Sequence, residues 1–485
     1  MGPTSSRPSS WRPITPPSVR ASSPRRSSLS SISRRVVTAL LLPAVLVAGL
    51  LGIRAWVAAD PIRIGAVFPL HGNAAQLAGE EERGVEIARD MVNAGAGIGG
   101  RPIALEVRDL EGAADAPAVM ASLRAAGVQV VIGAYSSELS IAASSAAADA
   151  GLVYWEAGAV ADRLTGRGLP LVFRVGASGS NLGANSASFA ATQLASRLGK
   201  TPAQLRLAIV AVDDEYARSV ADAAEATARA AGTPIVARLT YSLELPRWPS
   251  LMARLADARP DVIVLASHIP DGIAFRRAMV QAGLHVGALI GSTMAECSPD
   301  FAGDLGPDAV GVFASDRPTG GFQAAALAPA ARQVYDRFAA AWAEAGSAAA
   351  SAPSAPSAQS GSEGYAPDDG EYEIQGPAAE TAPGPTEEGL SGFTAAWALF
   401  HQVLPEVGGR DATAAQIAAA ARLVDLPAGS LPNGAGLRFS SAPRTLGQNE
   451  RAAAVIWQWQ AVRSYTFVWP AAYATGAIGF VPLAR

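Results

Sequence analysis

The sequence has little of the chemistry from which disulfides and metal centres are built. Its 485 residues include a single cysteine, Cys297, and four histidines. One cysteine excludes an intramolecular disulfide framework and a cysteine-based zinc site. No two histidines are spaced as ligands of one metal ion, so only folding brings such a group together. We therefore expect no metal site and no cofactor.

The sequence also lacks an excess of positive charge. It has 42 acidic and 38 basic side chains, which gives a formal net charge of -4 at pH 7. Residues 1–59 contain only basic charged side chains, all of them arginines, so the rest of the chain is acidic. An acidic body repels phosphate backbones, and this argues against a nucleic-acid partner.

Catalytic motifs are missing as well. The chain contains no G-x-S-x-G elbow, P-loop or H-E-x-x-H motif, and it has few cysteines and histidines for nucleophilic chemistry. Residues 95–100 fit the pattern G-x-G-x-x-G, but a helix-like stretch precedes them and a strand-like stretch follows. A dinucleotide fingerprint needs the reverse order. We expect these glycines to end a helix, and we expect the protein not to be an enzyme.

The N-terminal region has the composition of an export signal. Residues 1–35 are rich in Ser, Pro and Arg, and an uncharged apolar run follows at residues 36–53. Small residues then precede Asp60, which predicts cleavage near Ala59. Eighteen apolar residues also suffice for a retained membrane anchor, so both readings stay open. Each of them predicts a periplasmic or other extracytoplasmic location, with membrane contact only through this segment.

From Pro61 onward, short apolar runs alternate with Ala-rich amphipathic stretches. This alternation predicts parallel sheets covered by helices on both faces, and the pattern restarts near residues 174–178, which indicates two α/β lobes. The predicted strands cover residues 62–68, 103–107, 128–132, 152–155, 205–212, 235–239 and 262–265.

One stretch, residues 346–388, breaks the alternation. It is rich in Ser, Ala, Pro and Gly, and it contains eight acidic residues but no basic one. Such a segment lacks the apolar content that offsets the entropy of ordering. We expect a disordered insertion within a lobe.

The informative motifs lie at the start of the body and recur along it. The first are IRIG from Ile62, PLHG from Pro69, GVEIA from Gly84, NAGAGIGGRPI from Asn93, and Asp109. Together these segments resemble the Leu/Ile/Val-binding family of type I periplasmic binding proteins, which serve ABC transporters. The resemblance continues through residues 132–137, 213–216, 260–264, 434–439 and 454–459.

The resemblance implies an α/β fold of two lobes, each a parallel sheet flanked by helices, with three interlobe crossovers. Lobe 1 would comprise residues 60–174 and 313–432, including the insertion 346–388. Lobe 2 would comprise residues 175–312 and 433–485. The crossovers would lie near residues 174–176, 313–315 and 432–434.

The resemblance also implies ligand groups in loops at the carboxyl ends of strands, where open α/β sheets place their ligands. Ser137 follows the strand 128–132 and opens a helix, so its hydroxyl either caps the helix or contacts the ligand. The resemblance favours ligand contact. Tyr135 shares this loop, and His71 stands where the family has Ser or Thr; both are further candidates.

The next loop, from Glu156 to Val160, matches the family pattern S-x-G-A-T, which holds the carboxylate and ammonium of an amino acid. Here Glu156 replaces the Ser and Val160 replaces the Thr. Ala159 still offers backbone groups. Glu156 either serves a cation or is a solvated carboxylate. Both replacements lie in the loop with which the family holds an amino-acid ligand.

Three candidates come from the second lobe. Tyr216 matches the aromatic residue that the family lays over its ligand, and its alternative role is packing at a helix start. His268 follows the strand 262–265 and is either a ligand contact or a surface residue. Thr293 lies where the family often has an acid for the ligand ammonium, with Glu296 three residues later.

Three function classes remain. The first is a substrate-binding protein of an ABC importer, which captures a branched-chain amino acid-like or other small organic molecule and delivers it to membrane permease subunits. The second is a membrane-tethered small-molecule sensor of the same fold. The third, an α/β enzyme, has the least support. The sequence leaves the ligand and the oligomeric state open.

Overall fold

Two sheets form the framework of the computed structural model, which describes residues 60–72, 74–351, 384–408, 412–462 and 464–483. The first sheet has five parallel strands in the order β2-β1-β3-β4-β5. They are β1 (Ile62–Phe68), β2 (Ile103–Asp109), β3 (Val130–Gly133), β4 (Val153–Glu156) and β5 (Val172–Arg174). The inner strands β3 and β4 are buried throughout, as expected for a parallel sheet covered on both faces.

The second sheet has seven strands, and it is mixed. Five parallel strands are β6 (Leu207–Val212), β7 (Ile235–Tyr241), β8 (Val262–Ser267), β9 (Ala288–Met294) and β10 (Phe313–Asp316). Two more strands extend the sheet beyond β10: β13 (Val455–Ala461) is antiparallel to β10, and β14 (Ser464–Trp469) is antiparallel to β13. A short separate pair consists of β11 (Asp425–Leu426) and β12 (Leu437–Arg438).

Helices cover both faces of the first sheet. Helices α2 (Ala116–Ala125) and α3 (Ser137–Asp149) pack on one face. The other face is covered by α1 (Ala75–Ala94), α10 (Pro329–Ser351), α11 (Glu387–Ala398) and α12 (Ala414–Ala421). A short helix, α4 (Arg163–Gly166), follows β4. This lobe is therefore closed by helices that lie far apart in the sequence.

The second sheet is covered in the same way. Its helices are α5 (Gly179–Phe189), α6 (Glu215–Ala230), α7 (Trp248–Ala258), α8 (Ile269–Gln281) and α9 (Pro299–Leu305). Their apolar side chains form one buried cluster with β6, β8 and β9. The predicted two-lobed α/β architecture is confirmed.

Close helix packing in the first lobe depends on glycine. A Cβ atom at Gly84 of α1 would lie 2.1 Å from the carbonyl oxygen of Gly389 and 2.7 Å from the backbone nitrogen of Phe393, both in α11. Only a residue without a side chain lets the two backbones approach this closely.

The structure moves two predicted lobe boundaries. Strand β10 pairs with β9 and β13, so it belongs to the second sheet, and the second crossover follows Asp316 instead of lying at residues 313–315. Downstream, β12 pairs with β11, and the Phe439 ring packs 5.3 Å from the Trp155 ring of the first lobe. The chain therefore rejoins the second sheet only at Val455, well after residues 432–434.

The predicted insertion, residues 346–388, is also shorter than expected. Residues 352–383 lie outside the described part of the chain. At the C-terminal end the prediction is wrong, because Glu387 and Glu388 open α11 and are buried. Composition alone assigned them to the acidic stretch, whereas their pairing with Arg317 places them in the lobe.

The described ranges contain no helix with both the length and the apolar character of a membrane span. Residues 36–53, the expected signal or anchor, lie outside those ranges.

Candidate ligand-binding cleft

A cleft of about 600 Å³ lies between the two lobes, where strands of both sheets end. The first lobe lines it with loops that follow β3 and β4. The second lobe lines it with residues that follow β6 and β8 and with the last residues of β9. Carboxyl ends of parallel strands form the ligand-binding edge of open α/β sheets, so the topology itself places the cleft.

Seven of the eight predicted site residues line this cleft. They are Tyr135, Ser137, Ala159, Val160, Tyr216, His268 and Thr293. Their common position at strand ends brings them together from two lobes. Whether each contacts a ligand stays a prediction.

His71 is the exception, because its side chain lies outside the cleft lining. Its Nδ1 lies 2.6 Å from Oδ2 of Asp109, at the end of the neighbouring strand β2. This hydrogen bond and the charge of Asp109 raise the pKa of His71, which is largely exposed. His71 thus forms an exposed pair with Asp109 outside the cleft lining, and its ligand role stays a prediction.

Two adjacent serines share the two roles that the sequence left open for Ser137. Oγ of Ser136 accepts a hydrogen bond from the Leu139 N–H at 3.3 Å and so caps α3. Oγ of Ser137 instead accepts from the Ala161 N–H at 3.1 Å, in the loop after β4. Ser137 is thus not the cap, and its hydroxyl hydrogen remains available to an acceptor in the cleft.

The loop after β4 is held by its own carboxylate. Oε1 of Glu156 accepts hydrogen bonds from the N–H groups of Gly158 at 2.9 Å and Ala159 at 2.8 Å. Glu156 is fully buried, so it is not a solvated loop carboxylate. Burial raises its pKa to about 7, although these hydrogen bonds act in the opposite direction.

Carbonyl groups of the same loop are held by two buried arginines. Nη1 of Arg174 donates to the carbonyl oxygens of Ala159 at 3.3 Å and Ala161 at 2.7 Å. Nη1 of Arg317 donates to the carbonyl oxygen of Gly158. The Val160 carbonyl accepts from the Gly179 N–H at 2.6 Å, which joins the two lobes. The loop is therefore rigid before any ligand arrives.

Arg317 and Glu388 are cleft residues that the sequence did not single out. Both line the cleft, and their exposed fractions are only 4% and 6%. Nη2 of Arg317 lies 3.2 Å from Oε2 of Glu388, and its Nε contacts Glu387. Burial raises the pKa of Glu388 to about 7, although the charge of Arg317 opposes the shift. The second crossover thus carries a buried cation to the floor of the cleft.

On the second lobe, Tyr216 is fixed by its hydroxyl. It donates toward the carbonyl oxygens of Ser267 at 2.9 Å and Ser292 at 3.1 Å. The Tyr216 ring lies 5.6 Å from the His268 ring, measured between centroids. Because the hydroxyl is turned into the lobe, Tyr216 has its ring rather than its polar tip to offer a ligand.

His268 is held by an acid that also caps a helix. Its Nε2 lies 3.0 Å from Oδ2 of Asp214, whose Oδ1 accepts from the Ala217 N–H at the start of α6. Burial lowers the pKa of His268, but the hydrogen bond and charge of Asp214 outweigh it, so the net shift is upward. The side chain is therefore positioned by α6.

The backbone is strained where both lobes meet the cleft. Tyr135 has φ of 72°, Thr293 has φ of 69° and Met294 has φ of 60°. Residues with a side chain rarely adopt such values, and they cluster at functional sites when they occur. All three residues line the cleft.

Two groups among the described residues have atoms close enough to share a metal ion. One is His71, Asp109 and Glu111; the other is Cys297, Asp316 and Glu387. The first is a largely exposed surface group, and in the second Glu387 already contacts the Arg317 guanidinium. Arg317 thus already supplies positive charge beside the second group.

Comparison with known proteins gives a consistent result. A family model described as periplasmic binding protein matches residues 61–366. The Leu/Ile/Val-binding protein homolog 8 of Brucella abortus (strain 2308) is 29% identical over 401 residues, which cover 82% of this chain and 88% of that protein.

Solved structures share the fold. A leucine binding protein from Thermotoga maritima MSB8 superposes with a TM-score of 0.64 at 16% identity, covering 84% of this chain and 98% of that one. A solute binding protein of an ABC transporter from R. palustris, in complex with benzoate, gives a TM-score of 0.60 at 18% identity. It covers 86% of this chain and 98% of its own.

Proposed function

The chain belongs to the periplasmic binding protein family, of the Leu/Ile/Val-binding type, and from this premise we propose that it is the substrate-binding protein of an ABC importer. It captures a small polar metabolite, branched-chain amino acid-like or another small organic molecule, between two closing lobes. It then delivers that molecule to membrane permease subunits. The observation that carries the proposal is the cleft of about 600 Å³ lined from both sheets.

Contacts across the cleft support closure. The Asp162 N–H of the first lobe donates to Oγ of Ser219 in the second at 3.0 Å. Nη1 of Arg163 lies 3.4 Å from Oε1 of Glu215, again between lobes. Polar groups of the two lobes thus already meet beside the cleft. The exposed ion pair contributes little energy by itself, so the ligand would supply most of the drive to close.

A binding role, without catalysis, is supported by the relatives and by the residues. The curated relative is named a binding protein, and the described solved structures are binding proteins. The sequence contains no G-x-S-x-G elbow, P-loop or H-E-x-x-H motif, and its G-x-G-x-x-G stretch at residues 95–100 lies between a helix and a strand, the reverse of a dinucleotide fingerprint.

The experiment is a thermal-shift screen of residues 60–485 against small metabolites. A compound present at 100 times its Kd adds about 2.7 kcal/mol of apparent stability, which is readily measured. The proposal predicts at least one compound whose shift grows with concentration. His71→Ala is the matched control, because this residue lies outside the cleft and should leave the shift intact. If no compound in a broad library stabilises the protein, the proposed function is wrong.

Location has its own experiment. We propose that the protein works outside the cytoplasm, supported by its family and by the apolar run at residues 36–53. N-terminal sequencing of protein from the native cell envelope distinguishes a chain that starts near Asp60 from an anchored one. Full-length soluble protein in the cytoplasm would contradict both.

A further inference from the structure

We infer that the ligand of this cleft presents a carboxylate or carbonyl oxygen to the first lobe and carries no ammonium group beside it. The inference rests on the proposed function and narrows its substrate class. It follows from which polar groups of the cleft wall are already bonded within the protein and which are left for a ligand.

Hydrogen-bond donors remain on the first lobe. The N–H groups of Ser137 and Glu138, in the first turn of α3, have no acceptor among the described residues, because the Ser136 cap serves Leu139. The N–H of Val160 likewise has no acceptor there. The Ser137 hydroxyl uses its oxygen for Ala161 and keeps its hydrogen. These donors suit an oxygen with lone pairs, and the start of a helix favours a negative one.

The carbonyl oxygens of residues 158–161 on this wall already accept hydrogen bonds. Carbonyl oxygens of the loop after β4 bind Arg317 at Gly158, Arg174 at Ala159 and Ala161, and the Gly179 N–H at Val160. The side chain at position 160 is a valine, which offers no hydroxyl. An ammonium group brings three donors, and at residues 158–161 it would have to share carbonyl oxygens that already accept hydrogen bonds, three of them from buried guanidinium groups. Burying such donors without good partners is costly.

The carboxylates that line the cleft are also engaged. Asp214 holds His268, and Glu215 contacts Arg163 and Arg218. Asp213 lies 3.2 Å from Arg218, Glu388 holds Arg317, and Glu138 is exposed to solvent. None of these described lining acids is both buried and free to receive a ligand ammonium.

Arg317 is a cation already built into the floor. It is buried, and its guanidinium contacts Gly158, Asp316, Glu387 and Glu388. A guanidinium has five N–H donors, and both acids at Nε share a single one, so N–H groups remain for a ligand oxygen. A ligand ammonium at the same place would meet a like charge in a poorly solvated site. Burial also raises the pKa of Glu388 and that of the buried Glu156, which lessens repulsion of an anion.

Two series of compounds test this inference on residues 60–485 by calorimetry. The first is leucine, isocaproate and isoamylamine; the second is phenylalanine, phenylpropionate and phenethylamine. Within each series the carbon skeleton is similar and the end group changes. We expect the amine-free acid of at least one series to bind at least about tenfold tighter than the amino acid, with no measurable binding of the amine. Tighter binding of the amino acid, or binding of the amine alone, would overturn the inference and leave the proposed function standing.

If neither series binds, the same comparison is made on hits from the metabolite screen. Hits that share a carboxylate or carbonyl without a neighbouring amine support the inference, and hits that share an amine overturn it. A screen without hits contradicts the proposed function, and the inference fails with it.

A conservative variant separates the two possible roles of Glu388. If Glu388 receives a ligand amine, Glu388→Gln weakens binding of the amino acid. The inference predicts instead that the Glu388→Gln protein binds the amine-free acid at least as tightly as the wild type does. The ratio of the Kd of the amino acid to the Kd of the amine-free acid should increase, because Arg317 loses a counter-charge. Glu111→Gln, which removes an exposed acid outside the cleft lining, is the control and should leave the ratio unchanged. A smaller ratio of these two Kd values in the folded Glu388→Gln protein would overturn the inference.

Discussion

Neighbouring serines at the start of α3 provide a controlled test of the cleft. Both serines line the cleft, but the Ser136 hydroxyl oxygen caps the helix through the Leu139 N–H, whereas that of Ser137 accepts from the Ala161 N–H of the facing loop. Replacing each by alanine removes one hydroxyl from almost the same place. The two variants differ in which role is lost.

The stability costs should be similar. Loss of an N-cap costs about 1 kcal/mol, and loss of one neutral hydrogen bond costs about 0.5–1.5 kcal/mol. The affinities should differ. A hydrogen bond to a charged ligand group contributes about 1.5–3 kcal/mol, which corresponds to roughly 10- to 150-fold in Kd. Ser137→Ala should therefore weaken binding by that factor, and Ser136→Ala should leave Kd nearly unchanged.

Denaturant melts give the stability of each variant, and titration calorimetry with a screened ligand gives its Kd. Equal affinities for the two variants would refute the role of Ser137 in binding. A larger loss of affinity in Ser136→Ala would show that the helix end itself, rather than the Ser137 hydroxyl, governs binding.

Three further changes address packing, buried charge and the acidic segment. Gly84→Ala should destabilise the protein by about 1–3 kcal/mol in denaturant melts, because the new Cβ would meet the Gly389 carbonyl. A Cβ at Gly79, in the same helix, would have open space around it, so Gly79→Ala should stabilise the protein by up to about 1 kcal/mol. Burial raises the pKa of Glu296 from 4.5 to about 8, so the native state holds the proton more tightly than the unfolded state does. The free energy of unfolding should therefore fall as the pH rises from about 4.5 to about 8, and it should fall less steeply in Glu296→Gln. Replacing residues 352–383 by a flexible Gly/Ser linker should preserve folding and ligand binding, and limited proteolysis should cut the native segment first; loss of either property would contradict the sequence-based view of this segment.

The sequence was sufficient for the fold because the fold depends on local patterns. Buried apolar runs such as β6 and β8 lie close to their predicted positions, and strand alternating with helix implied parallel sheets. The sequence could not show to which sheet a short strand belongs. Strand β10 has four residues and sits beside a crossover, and only its pairing with β9 and β13 assigns it.

The candidate site was likewise predicted only in part from the sequence. Residues at the ends of strands, such as Ser137 and Tyr216, were found because topology fixes strand ends. Arg317 and Glu388 were missed because they are 71 positions apart, and their pairing depends on how the chain returns after the acidic stretch. The pairing of His71 was not foreseen because its partner, Asp109, comes from a neighbouring strand. The capping role of Ser136 was undecidable from two consecutive serines.

The most direct test of the central claim, that a ligand is held between the lobes, is calorimetry on single variants from opposite walls. Ser137→Ala alters the first lobe, and Tyr216→Ala removes the fixed ring of the second. For a ligand found in the screen, we predict one binding site per chain and a loss of affinity of at least about tenfold in each variant. Wild-type affinity in both folded variants would contradict the account, because the ligand would then bind outside this cleft.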